Sequence, residues 1–173
     1  MFTRRQFAQG GLAALAGFTS VSYLSSGKSN AGEASSSQKV FNVTKTEEEW
    51  RKILTPAAFD VLRKHGTERA GTSPLNDEKR EGIFSCAGCD QAVYSSKTKF
   101  ESGTGWPSFY DPLKNAIGTS VDRSFFSTRT EVHCSNCGGH LGHVFDDGPK
   151  PTGQRYCMNG VAMKFVPGKA YAS

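Results

Sequence analysis

The five cysteines divide by spacing into two pairs and one remainder. Cys86/Cys89 and Cys134/Cys137 each leave a two-residue gap, which lets a single backbone turn aim both thiols at one tetrahedral ion. Cys157 has no such neighbour. It sits in Arg155-Tyr156-Cys157-Met158-Asn159, with a guanidinium two residues before it and His140 and His143 upstream as acid and base partners. A cation near a thiol lowers its pKa and raises the thiolate fraction, the form that attacks electrophiles. The expected chemistry is nucleophilic attack by Cys157, on a scaffold held by the other four sulfurs.

Those four sulfurs have the spacing of a zinc ribbon, in which each pair occupies a tight turn, with Gly88 inside one and Gly138-Gly139 after the other to give the backbone freedom. Four thiolates close the coordination sphere of a single zinc ion, whose task is then structural. Disulfides are the alternative in an exported chain, but a Cys-x-x-Cys bridge closes a strained loop that is redox-active more often than structural. Two other function classes use the same cysteines: a zinc-ribbon binding module, and a thiol oxidoreductase cycling through metal-free pairs. A nucleic-acid module needs a basic face with exposed aromatics. Arg4, Arg5 and Lys28 fall in residues 1–31, which contain no acid, so without them the formal charge of +5 becomes +2. Four thiolates on a dication cancel that remainder. We therefore expect no nucleic-acid partner.

Two more stretches carry chemistry. Gly103-Thr104-Gly105-Trp106-Pro107-Ser108-Phe109 reads as a rigid aromatic loop whose Trp106 and Phe109 wall a pocket for a small alkyl or methyl group; the plainer reading places both rings in the core. His140-Leu141-Gly142-His143-Val144-Phe145-Asp146-Asp147 sets two histidines three residues apart, with carboxylates behind them. That spacing sends two rings to opposite faces of a regular strand, so a bend is needed to bring both to Cys157. A second metal would find only two evident ligands there.

The elements that must position these groups are legible in part. Thr46 followed by Glu49 forms a capping box and predicts a helix through Leu54. Thr55-Pro56 restarts a helix with a stripe of Phe59 and Leu62, Ala58 beside them, and Gly66 as its stop. Thr67–Gly82 reads as a polar connection. From Ile83 onward the chain turns to short β-branched and aromatic runs: Gly82–Phe84, Ala92–Tyr94, Lys99-Phe100, Val121–Val132, Leu141–Phe145 and Ala162–Val166. The expected class is mainly β, a small α+β fold of short antiparallel sheets tied by the metal, with both helices packed outside.

Residues 1–31 read as an export signal: Arg4-Arg5-Gln6-Phe7, an apolar run from Ala8 to Leu24 rich in small residues, and Ser29-Asn30-Ala31 as a cleavage site. The paired arginines resemble a twin-arginine signal, which implies export of the folded chain by that machinery to a bacterial periplasm; an organellar transit peptide is the alternative. Residues 32–44 read as a flexible linker, 45–168 as the domain and 169–173 as a tail.

Gly105-Trp106-Pro107-Ser108-Phe109, His140–Pro149 and Arg155–Asn159 resemble the B-type methionine sulfoxide reductases, which act on the R epimer, and the likeness spans roughly Thr46 to Phe165. The resemblance implies two small antiparallel sheets with flanking helices. It implies Cys157 as nucleophile; His140 and His143 for proton transfer and for holding the oxygen; Asn159 and Arg155 as neighbours of the nucleophile; and Asp147 as an acid tuning the histidines. It implies Trp106 against the substrate methyl group, and Cys86, Cys89, Cys134 and Cys137 as zinc ligands. Relatives carry a resolving cysteine either in the loop where this chain has Thr104 or in the strand where it reads Phe125-Phe126. The implied cycle therefore passes through a sulfenic acid that an outside reductant clears, a thioredoxin-like protein or a small thiol, unless a zinc cysteine leaves the metal to resolve it. The expected substrate is methionine R-sulfoxide in proteins, and the expected state a monomer.

Overall fold

The computed structural model describes residues 40–124 and 127–168. The export signal expected at residues 1–31, the tail 169–173 and Phe125-Phe126 lie outside the described residues, and the segment 32–44 enters them only at its end. That end is anchored: the Val43 N–H donates to the Asn136 carbonyl oxygen at 3.0 Å, and Phe41 stands edge-on to His133.

Helix α1 (Glu47–Ile53) begins where the capping box requires, with Thr46 Oγ1 accepting from Glu49 N–H and the Glu49 carboxylate accepting from Thr46 N–H. Helix α2 (Pro56–Lys64) starts on the Thr55 cap with Pro56 in its first turn. Its stop differs from expectation. His65, at φ 57°, takes the left-handed capping position in place of Gly66, which follows with its N–H on the Asp60 carbonyl oxygen. Ala58, Phe59, Val61 and Leu62 bury the inner face of α2, and Trp50 does so for α1.

Among the described residues nine strands follow: β1 (Gly82–Cys86), β2 (Ala92–Ser95), β3 (Lys99–Phe100), β4 (Ser108–Phe109), β5 (Ile117–Asp122), β6 (Arg129–Cys134), β7 (His140–Phe145), β8 (Arg155–Met158) and β9 (Met163–Pro167). They form two antiparallel sheets, β2-β1-β9 and β3-β4-β8-β7-β6-β5. The second sheet is wider than the short runs suggest, because two strands carry no sequence signal of their own. β4 has two residues and β8 four, too few to show an alternation. Val121–Val132, read as one run, is a hairpin of β5 and β6.

The core lies between the sheets and under α2. Tyr94 stacks on Phe109 at 4.3 Å between centroids, Phe84 meets Phe109 edge-on at 4.9 Å, and Met158 lies beneath the Tyr94 hydroxyl. Phe109 is thus a core ring and not a pocket wall. The pairing explains the correction: Ser108 opposes Cys157 and Phe109 opposes Tyr156, so adjacent residues of β4 face opposite sides of the sheet. With Ser108 on the side of Cys157, Phe109 must face the core.

Candidate active site and metal centre

Residues paired directly across antiparallel strands share a face. The registers Ser120↔Glu131, Glu131↔His143, His143↔Cys157 and Ser108↔Cys157 therefore draw one polar row across five strands, with Cys157 between His143 and Ser108. Asp122 and Arg155, two residues along their strands from Ser120 and Cys157, fall on the same face. His140 joins them through a β-bulge. β6 and β7 pair Val132↔Gly142 and then His133↔His140, leaving Leu141 unmatched, and this extra residue turns three-residue spacing into same-face spacing. The two imidazole rings meet edge to face at 5.3 Å.

Each ring has its own carboxylate. His143 Nε2–H donates to Asp122 Oδ2 at 2.8 Å, and Asp122 is also paired with Arg129 at 2.7 Å. His140 Nδ1–H donates to Glu131 Oε1 at 3.0 Å, while His133 Nδ1 and Ser120 Oγ bond to Glu131 Oε2. Ionised carboxylates only accept, so in the neutral rings the proton sits on Nε2 of His143 and on Nδ1 of His140, and the lone pairs fall to His143 Nδ1 and His140 Nε2. The latter atom is buried and without a hydrogen-bond partner. Hydrogen bonds and charge from Ser124, His143 and Arg129 hold Asp122 well below the usual carboxylate range. Burial works against the Glu131 charge, yet His133, His140 and Ser120 outweigh it and that carboxyl also falls far below its ordinary value.

Cys157 departs from the expected electrostatics. Burial pushes its thiol above the ordinary value, and Thr104, Arg155 and Ser108 recover only part of the rise. Arg155 is shared between Cys157 and a second partner: Asp147 takes its guanidinium through two bonds of 2.8 and 2.9 Å, and the Phe145 ring lies 4.4 Å beneath it. Asp147 thus contacts Arg155 and no histidine; the carboxylates expected of it are Asp122 and Glu131. His143 shifts the other way. Burial lowers its pKa, Asp122 opposes that, and Arg129 and His140 add to it.

A cleft of about 220 Å³ opens on this face, lined by Thr67, Trp106, Arg129, Gly142, His143, Phe145, Cys157 and Asn159. Trp106 forms part of this wall, its indole Nε1–H donating to the Glu68 carbonyl oxygen at 3.1 Å. The loop beneath it is fastened by Gly105, at φ 90° and so close to Ala70 and Gly71 that a Cβ would collide with them; its carbonyl oxygen accepts from Gly71 N–H and Asn76 Nδ2. Asn159 lines the cleft while both ends of its amide orient the chain: Oδ1 accepts from Glu68 N–H at 2.9 Å and Nδ2 donates to the Leu141 carbonyl oxygen at 3.1 Å. Thr67 and Glu68 gave no signal in a polar loop; Phe145, Arg129 and Asp122 become visible only through strand register. Thr104 Oγ1 lies 3.8 Å from Cys157 Sγ.

On the other side of the knuckles the four paired cysteines converge, with Cys86 Sγ 3.7 Å from Cys137 Sγ, Cys89 Sγ 3.5 Å from Cys134 Sγ, and all four within 4.8 Å. Sulfurs at about 2.3 Å from a tetrahedral zinc lie roughly 3.8 Å apart, so the set fits that ion. Cys86 ends β1 and Cys134 ends β6, so the site joins the two sheets. The left-handed turn residues are Asp90 in the first knuckle and Gly138 in the second; Gly88, expected to serve, keeps an ordinary backbone.

The SelR domain model matches residues 54–167. A peptide methionine sulfoxide reductase MsrB of Methanosarcina barkeri is 55% identical over 124 residues, covering 71% of this chain and 87% of that protein. An MsrB of Agrobacterium fabrum is 49% identical over 126 residues, 72% and 93% of the two chains. The chloroplastic peptide methionine sulfoxide reductase B1 of Arabidopsis thaliana is 48% identical over 143 residues, 77% and 71%.

Proposed function

The chain belongs to the SelR-domain family of MsrB peptide methionine sulfoxide reductases, and we propose that it reduces methionine R-sulfoxide in proteins with Cys157 as the nucleophile. The observation that carries this assignment of roles is the row that seats Cys157 beside His143 in a cleft walled by Trp106.

The two pKa shifts favour a resting pair of thiol and neutral imidazole. As the Cys157 sulfur attacks the sulfoxide sulfur, its proton passes to His143 Nδ1, the nitrogen that Asp122 leaves free, and from there to the sulfoxide oxygen. The sulfur–oxygen bond of the substrate breaks, methionine leaves, and the oxygen remains on Cys157 as a sulfenic acid. The thiol loses two electrons and the sulfoxide gains them; the thiol's own proton ends on the transferred oxygen. His140 stands one ring behind, and the Nε2 lone pair of its neutral form serves as a second proton acceptor. Trp106 offers its face to the substrate methyl group. Arg155, held by Asp147 and Phe145, supports the thiolate as it forms. The zinc, held by Cys86, Cys89, Cys134 and Cys137, supplies structure and no step.

Regeneration needs an outside thiol. Thr104 occupies the place facing Cys157 from which a second cysteine would reach it, and the other four cysteines belong to the metal set. A thiol of the reductant attacks the sulfenic sulfur and releases water; its second thiol then displaces Cys157 from the mixed disulfide. A thioredoxin-like protein or a small thiol meets that requirement. The reading extends to export: Arg4-Arg5 and the apolar run after them support a twin-arginine route to the bacterial periplasm for the folded, metal-loaded chain.

The test is turnover of peptides carrying R- or S-methionine sulfoxide with excess dithiothreitol. The wild type reduces the R epimer alone and Cys157→Ser neither. Turnover by Cys157→Ser, or none by the zinc-loaded wild type, overturns the reading.

A further inference from the structure

We propose that His65, Glu131 and His140 form a second metal site, for a divalent transition ion, and that an ion bound there switches the reductase off. The site itself stands on geometry; its inhibitory effect rests on the reading of His140 given above. The three side chains come from the end of α2, from β6 and from β7, and each places one ligand atom within 4.8 Å of the others. Glu131 Oε1 is 3.0 Å from His140 Nδ1 and 4.0 Å from His65 Nδ1, and the His65 and His140 rings are 5.0 Å apart. Two imidazoles and a carboxylate are a ligand set that zinc accepts with an open fourth position. Bonds of about 2.0–2.2 Å put such ligand atoms roughly 3.3–3.5 Å apart, so closure asks for a movement of little over ~1 Å. His65 is the member able to make it, since its side chain is 66% exposed while Glu131 and His140 are buried.

The surroundings leave these atoms available. Ser120 and His133 occupy Glu131 Oε2, which turns Oε1 toward the two imidazoles. A cavity of about 460 Å³, separate from the substrate cleft except for Thr67, Arg129 and His143, opens over His65, Glu131 and His140 and gives the ion an entry path and room for water. The two cations lining it are compensated: Lys64 by Glu47 at 2.9 Å and Arg129 by Asp122 at 2.7 Å. His65 is also a residue with a left-handed backbone where glycine is the usual choice, and nothing in the helix cap requires an imidazole.

The consequence for the active site follows from proton placement. When His140 carries a single ring proton, its hydrogen bond to Glu131 keeps that proton on Nδ1. An ion on Nδ1 takes that proton's place, and the proton moves to Nε2. The nitrogen read above as a second acceptor becomes an N–H donor, and His140 can no longer accept.

The experiment titrates Zn²⁺ into the full chain already loaded with one zinc, in a Cys157→Ser background that leaves no thiol outside the tetrathiolate set. We expect a second equivalent to bind, and His65→Gly, which suits the left-handed φ and keeps the fold, to weaken that binding at least tenfold. One equivalent in both proteins, or two in both, overturns the site. With Cys157 restored, added Zn²⁺ should suppress turnover of the R-sulfoxide peptide in the wild type and spare His65→Gly, whose basal rate is unchanged. Binding without suppression overturns the inhibitory half. Absence of turnover before any Zn²⁺ is added would instead overturn the reductase reading and leave the binding result standing.

Discussion

Cys157 and His143 face each other across β7 and β8, both largely removed from bulk water, and desolvation moves their pKa values in opposite directions. A lowered histidine pKa keeps the imidazole neutral, and able to accept the thiol proton, further into acid than the ordinary value of about 6.5 allows. The acid limb of kcat/KM should therefore lie below that value. Asp122 is what holds it up and Arg129 what presses it down, so Asp122→Asn removes the first influence and uncovers the second. The limb should move to lower pH in a pH–rate profile; movement upward would exclude His143 as the titrating group. Trp106 and Phe109, both read from one motif as pocket walls, separate under substitution. Trp106→Ala should raise KM in peptide assays. Phe109→Ala should cost about 3–5 kcal/mol in a denaturant melt, with KM held for whatever fraction stays folded. Cys157 was legible by pairing off the other cysteines, and Arg155 by adjacency. The sign of the thiol shift was not, because burial depends on strands that meet only in the folded sheet.

The bulge in β7 is the element that makes the site. Regular pairing would send His140 and His143 to opposite faces; the unmatched Leu141 puts both on the face of Cys157. Three-residue spacing signals that some bend is needed but not where it falls, since a bulge is defined by the partner strand. Gly142, beside it, permits the close approach of β8: a Cβ there would sit on the Cys157 carbonyl oxygen and against the Met158 backbone. Gly142→Ala should cost roughly 1–3 kcal/mol of stability and reduce kcat, because the strand carrying the nucleophile must move away from the strand carrying His143. A variant with wild-type kcat and melting temperature would contradict this. The capping box of α1 and the strands β1, β2, β7 and β9 were readable because their signals are local. β4 and β8 were not, although β8 carries Cys157, for a strand of four residues is recruited by its neighbours and not by its own pattern.

At the scale of the molecule the tetrathiolate site connects the end of β1 in one sheet with the end of β6 in the other, and Trp50 and Leu62 from the two helices pack against Gly88 within a knuckle. His140 follows Cys137 by three residues, so the metal also sets the start of the bulged strand. Stripping zinc with a chelator should abolish activity and the near-UV signal of the buried tryptophan together, and zinc should restore both; a stripped protein with full activity would refute the structural role. The metal set was legible from spacing alone, whereas the 67–77 loop that supports Trp106 was not, since its hold on Gly105 and Asn159 runs through the backbone N–H groups of Gly71 and Glu68, which any sequence possesses, with the Asn76 amide added to the first. The central claim is that Cys157 takes the sulfoxide oxygen and waits for an outside thiol. Its most direct test gives the zinc-loaded enzyme one equivalent of R-sulfoxide peptide with no reductant present, and reads intact mass and bound zinc. One methionine formed per chain, one oxygen gained at Cys157 and zinc fully retained is the predicted result. A disulfide with zinc released, or methionine formed with no oxygen on Cys157, would contradict it.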